Sequence, residues 1–243
     1  MPLPMVSLRA AGTALVLALW AVLLPGTASA QLMPAAPLPS DPGGPPNVVV
    51  LFADDLGYGD LGSYGSPDAL TPHLDALAAR GLRFTDFYSG APICTPSRYA
   101  LLTSLHPFRS GDTDLLGPLH PSNTDSGIDA GAVTLAEAFG AAGYETAIIG
   151  KWHLGHGEFV GGGDDDTEFH PLHHGFDSFF GSVRGGIDYN THYYRDEFLD
   201  WWEDRRPVPE DSLRYATHVF GDRAVAFLDA RPDAGVRRPP FFL

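Results

Sequence analysis

An unbroken apolar run, Val48 to Phe52 in NVVVLFADD, ends abruptly in two adjacent carboxylates, Asp54 and Asp55. Such a run offers no polar face to water, so it reads as a strand covered on both sides, as in a parallel sheet. A second run of this kind, Thr146 to Ile149 in ETAIIGKWHLG, ends in Lys151-Trp152-His153. Helical patterns alternate with these runs. In TPHLDALAARG, Thr71 can cap, Pro72 suits the first helical position, Leu74, Leu77 and Ala78 share a face, and Gly81 stops the helix. Thr134 to Ala142 and Tyr215 to Ala230 read as further helices, while Phe84 to Tyr88 alternates like a strand. Residues Gly161 to Gly186 read as a loop, and RRPPFFL opens one more strand at the end of the chain. Strand–helix alternation defines an α/β class. Ligands of such sheets gather at the carboxyl ends of the strands. Asp54-Asp55 and Lys151-His153 both lie there, which argues for one shared site.

Composition narrows the class. Hydrophobic residues make up 44% of the chain, enough to bury a core. Thirty acidic residues against fifteen basic ones give a net charge of −15, with no basic stripe, which argues against a nucleic-acid partner. Residues 1–30 read as a signal peptide: Arg9, an apolar run from Ala10 to Leu24, then Pro25 and a small-residue end at Ala28-Ser29-Ala30. The run is short for a membrane span, which needs roughly 20 residues. An exported chain, periplasmic or extracellular, with no stable membrane span after cleavage is therefore expected. Residues 31–46 are rich in Pro and Gly and read as a linker. Cys94 is the only cysteine, so no internal disulfide can form. It is an inert core residue, an intermolecular bridge or a functional group.

Four groups of residues could carry chemistry. Two adjacent carboxylates repel unless a cation lies between them, so Asp54-Asp55 suits Ca²⁺ or Mg²⁺; a turn or a cap is the ordinary alternative. Lys151 offers a fixed positive charge and His153 a proton exchanger, against a surface lysine and a structural histidine. His170, His173 and His174 match no closed zinc spacing and read as a solvated loop, as does GGGDDDTE before them. Cys94, the lone cysteine, is the fourth.

Cys94-Thr95-Pro96-Ser97-Arg98 fits the Cys-x-Pro-Ser-Arg signature of the sulfatases. The resemblance extends further. NVVVLFADDLGYGDLGSYG resembles that family's opening strand and metal-binding loop, GYETAIIGKWHLG its second signature, and HHGFDSFFGSVRGGIDYNTHYYRDE a region of arylsulfatase B-like members. It covers residues 47–243, read as the N-terminal part of a sulfatase catalytic domain.

The resemblance implies an alkaline-phosphatase-like α/β fold: a central mixed, largely parallel sheet flanked by helices, incomplete at the C-terminus. It implies a sulfuric ester hydrolase. Cys94 would be oxidised by a formylglycine-generating maturation enzyme, which recognises Pro96 and Ser97. The resulting aldehyde hydrate would attack the sulfur of a sulfate ester and release the alcohol. Its second hydroxyl would then lose a proton and expel sulfate. Asp54, Asp55 and the modified Cys94 would hold the divalent cation, Arg98 would steady the hydrate, Lys151 would bind sulfate, and His153 would take the proton. Sulfated small molecules, sugars or polysaccharides are the implied substrates. Two departures accompany the match. Ser104-Leu105 stands where the family often has Gly-Arg. The family's second histidine, further acidic pair and further lysine would fall beyond Leu243, so the chain reads as truncated. Two other readings stay open: a phosphodiesterase or phosphonate monoester hydrolase on the same scaffold, and an inactive secreted fragment.

Overall fold

A computed structural model describes residues 44–120, 122–157, 167–208, 214–231 and 238–243. The expected signal peptide, nearly all of the linker and the acidic stretch Gly161 to Asp166 lie outside the described residues. Among those described, no helix is long and apolar enough to cross a membrane.

The centre of the molecule is a five-stranded sheet. Its strands are β1 (Glu145–Lys151), β2 (Ser178–Ser182), β5 (Trp202–Glu203), β6 (Arg206–Pro207) and β7 (Phe241–Phe242), in the order β6-β5-β2-β1-β7. β1 runs parallel to both neighbours, with Ala147 opposite Ser178 and Thr146 opposite Phe242. β5 and β6 add an antiparallel edge, so the sheet is mixed and its long strands are parallel. A separate hairpin joins β3 (Tyr193–Tyr194) to β4 (Phe198–Leu199).

Side chains alternate across a strand, and here each alternate set has its own layer. Ile148 and Phe179 face a core shared with Tyr99 and Leu102 of helix α2 (Cys94–Thr103) and Ala136 of helix α3 (Leu135–Ala141). Ile149 and Phe180 face a second core with Trp201 and with Ala216 and Val219 of helix α4 (Ala216–Asp229). Helices therefore cover both faces. α3 begins with a capping box in which the Glu137 N–H donates to Thr134 Oγ1 at 3.1 Å and the Thr134 N–H donates to Glu137 Oε2 at 2.7 Å. Gly150 and Gly181 face each other across β1 and β2. A Cβ on Gly181 would lie 1.9 Å from the Gly150 carbonyl oxygen, so this approach requires glycine.

Helix α1 (Pro72–Arg80) forms where expected, with Pro72 in its first turn and the Gly81 N–H closing it on Leu77 O. Thr71 does not cap it through its side chain. Its hydroxyl accepts from the Gly62 N–H at 2.9 Å and donates to Asp75 at 3.1 Å instead.

Three expectations change. The run Val48 to Phe52 is not covered on both faces: Val48 pairs in parallel with Phe242 at the sheet edge, while Leu51 is 76% exposed. Val48 alone of the run packs against the main core. Phe84 to Tyr88 forms no strand, because no partner ladder lies beside it; Phe87 is 75% exposed. Part of the expected loop from Gly161 to Gly186 is the buried strand β2.

Candidate active site

Four of the expected residues come together at the carboxyl end of β1. Lys151 is the last residue of that strand, and its Nζ lies 2.9 Å from Asp54 Oδ2. Arg98 reaches the same oxygen with Nη2 at 3.7 Å and donates through Nη1 to the Lys151 carbonyl. Its guanidinium lies over the Phe52 ring, 5.6 Å from the centroid. Cys94, half-buried, is the first residue of α2. Arg98 follows one turn later on the same helix. Burial pushes the Asp54 carboxyl up, but the Lys151 hydrogen bond and the charges of Lys151 and Arg98 outweigh it and hold the group below its ordinary value. Burial lowers the Arg98 guanidinium, opposed by Asp54 and Cys94. Asp55 stands apart from these contacts, exposed, in a left-handed backbone conformation at φ 56°.

His153 is held from three directions. Its N–H donates to Val183 O at 2.9 Å, its carbonyl accepts from Thr95 Oγ1 at 3.1 Å, and its Nε2 lies 3.1 Å from Leu119 O. A carbonyl only accepts, so Nε2 carries the proton and Nδ1 keeps its lone pair. Nδ1 is buried without a hydrogen-bond partner among the described residues. Burial, more than any other cause, lowers this histidine to about 4, so it is neutral at physiological pH.

Two residues that position His153 have no role in the sequence reading. Thr95, fully buried, also accepts the Leu119 N–H at 3.2 Å, so one hydroxyl ties the start of α2 to the His153 loop. Its only signal in the sequence is its place at the variable position of the Cys94–Arg98 motif. Gly185 lies against the imidazole: a Cβ there would fall 2.3 Å from Cε1. The Gly185-Gly186 pair just past β2 was its only trace.

The histidine-rich stretch is not a solvated loop. His170 and His174 are buried, and only His173 is exposed. His170 Nδ1 accepts the Leu172 N–H at 3.2 Å while Nε2 donates to Asp204 O at 3.0 Å. His174 Nε2 meets Glu168 O at 3.1 Å. Backbone partners let neutral imidazoles be buried at low cost.

Fold and site together describe an α/β protein that gathers a thiol, two cations and a carboxylate at the end of its central strand. The family model described as Sulfatase matches residues 46–243, and the chain belongs to the sulfatase family. It is 55% identical over 137 residues to arylsulfatase A of Bos taurus, covering 56% of this chain and 25% of that protein. It is 38% identical over 212 residues to N-acetylgalactosamine-6-sulfatase of Homo sapiens, covering 82% of this chain and 38% of that protein. Ps i-CgsB, solved in complex with k-i-k-neocarrahexaose, matches with a TM-score of 0.68 at 30% identity, over 82% of this chain and 44% of that one. The fold is thus the alkaline-phosphatase-like one of its sulfatase neighbours. The chain spans about a quarter to two-fifths of the length of these curated relatives.

Proposed function

We propose that the protein to which this chain belongs hydrolyses sulfate esters, with Cys94 as the precursor of its nucleophile. The observation that carries this reading is the convergence of Arg98 and Lys151 on Asp54, at the end of the helix that Cys94 opens. Two fixed cations suit a tetrahedral oxyanion. The names of the relatives support the reaction, and N-acetylgalactosamine-6-sulfatase and the neocarrahexaose complex support a sulfated saccharide as substrate. We place it outside the cytoplasm, after removal of residues 1–30 and with residues 31–46 as linker.

Asp54 and Asp55 fit a hard divalent cation, Ca²⁺ or Mg²⁺, in donor type. They do not complete its shell, since no group of three or more His, Cys, Asp and Glu converges among the described residues. They would hold the ion together with an oxygen derived from Cys94. When bound, it would polarise sulfate oxygens. A formylglycine hydrate made from Cys94 by a maturation enzyme would supply two hydroxyls on one carbon: one to bond to sulfur, one to release sulfate afterwards. Arg98 steadies that group from one turn along α2. Lys151 binds the sulfate and offsets developing charge. His153, neutral and with Nδ1 open, accepts the proton of the second hydroxyl.

Two measurements test this on the protein exported by its own host. Turnover of 4-nitrophenyl sulfate should fall by more than about a thousandfold in Cys94→Ala, with the fold retained. Full activity in that variant would overturn the mechanism, and faster turnover of 4-nitrophenyl phosphate would move the reading to a phosphoryl hydrolase. The mass of the tryptic peptide Phe84 to Arg98 should show formylglycine in place of Cys94.

A further inference from the structure

One cavity adjoins the site without being used by it. It is an open cleft of about 400 Å³ and shares His153 with the groups above. Among the described residues its wall carries His120, His156, Arg184, Tyr194 and Arg195, and no carboxylate. Such a wall runs against the rest of the chain, where acidic residues outnumber basic ones 30 to 15.

We propose that this cavity binds a second oxyanion substituent, sulfate or carboxylate, on the same saccharide whose sulfate ester reaches Lys151. The inference rests on the sulfatase reading and names its substrate more narrowly: a dianionic sugar. The volume suits a sugar-sized group. Arg184 is placed by the fold. Its N–H donates to Asp200 Oδ2 at 2.8 Å, and its guanidinium lies 4.6 Å from the Phe198 ring centroid. Arg195 is exposed and lies over Tyr194, 5.4 Å from the ring centroid. An arginine fork matches two oxygens of a sulfate or a carboxylate. His120 Nδ1 faces Ser122, 3.4 Å from its N–H and 3.0 Å from its hydroxyl, which leaves Nε2 to donate. The ring nitrogens of His156 face Gly157 O at 2.8 Å and His120 O at 3.4 Å, so it shapes the wall and does not bind the ligand. Asp200, outside the cavity and fully buried, opposes the Arg184 charge and anchors its backbone. Among the described residues, Arg195 therefore supplies the charge that no carboxylate opposes.

Calorimetric titration tests the proposal on the protein exported by its own host. The probes are glucosamine 6-O-sulfate against glucosamine 2-N,6-O-disulfate, and 6-O-sulfated N-acetylglucosamine against the same sugar linked to glucuronate. At least one dianionic probe should bind about tenfold more tightly than its monoanionic partner, and which one does so names the second anion. That ratio should shrink at least threefold in Arg195→Ala and in Arg184→Gln. Equal affinities in the unaltered protein, or ratios unchanged in Arg195→Ala, would overturn it. If Arg184→Gln does not fold, the exposed Arg195 decides alone. 4-Nitrophenyl sulfate carries one anion and no sugar, so its turnover reads the parent hypothesis separately. A retained preference without turnover supports the anion pocket and overturns the sulfatase reading. Turnover without preference does the reverse.

Discussion

Val48–Phe52 and Thr146–Ile149 are both short, mainly apolar runs, and each is followed by a polar tip that reaches the same site. Their surroundings differ completely. Within β1, Ala147 is 2% exposed, with helices packed over both faces of the sheet. Leu51 is 76% exposed at the sheet edge. The contrast teaches that an apolar run states a requirement for cover, and that its neighbours decide whether it is met. The site straddles this boundary. Lys151 and His153 come from the covered side, and Asp54 comes from the uncovered one.

Identical truncations on the two sides should therefore differ most. Phe179→Ala, in the covered core, should lower the unfolding free energy by about 3–5 kcal/mol, read from the denaturant midpoint. A loss under about 1 kcal/mol would dissolve the contrast. Acid should act on the covered side next. The unfolded chain protonates His153 near 6.5, whereas burial holds the folded imidazole at about 4. Its contribution is complete above pH 6.5 and is lost as pH falls towards 4, a change of about 3 kcal/mol. His156 and His174, lowered by burial as well, add to the loss. Asp200, raised by burial, offsets part of it, because the folded protein takes that proton first. A melting temperature unchanged between pH 7 and 4.5 would contradict the burial of these rings. Thr95→Val, at the seam, removes two buried hydrogen bonds and should cost about 1–3 kcal/mol. It should also impair turnover more than Tyr99→Phe does, since only Thr95 holds the His153 loop. Last, Phe87→Ala on the uncovered side should change stability by less than about 0.5 kcal/mol; a large loss would show that this side is packed after all.

Much of the architecture was legible in the residues. β1, α1 and α4 announce themselves by apolar spacing, Pro72 and Gly81, because local preference and tertiary burial agree there. Strands β3 to β6, two residues each, carry no periodicity that a pattern could register. Phe84 to Tyr88 has the periodicity and no partner. At the site, charged residues at strand ends were visible, since chemistry restricts them to few types. The supports were not. Thr95 and Gly185 act through a hydroxyl bridging two loops and through a missing Cβ, and both depend on contacts across 58 and 32 residues of chain. His170 and His174 misled for a related reason: a polar ring with backbone partners is as much at home in a core as in water.

The edge pairing has one more consequence, for the order of events during folding. The Val48 N–H donates to Phe241 O at 2.8 Å, and the Leu243 N–H returns to Val48 O at 2.9 Å. Beside them, Phe241 donates to Asn47 across 194 residues of sequence. Closing so long a loop is entropically late work, and contacts of high sequence separation slow the whole reaction. On the ribosome, Val48 to Phe52 emerges early and must wait, unpaired and sticky, until residues 241–243 have been made. Asp54 follows directly on that segment, so it is anchored to the sheet late. The binding site is thus completed by hydrogen bonds between segments that lie 194 residues apart.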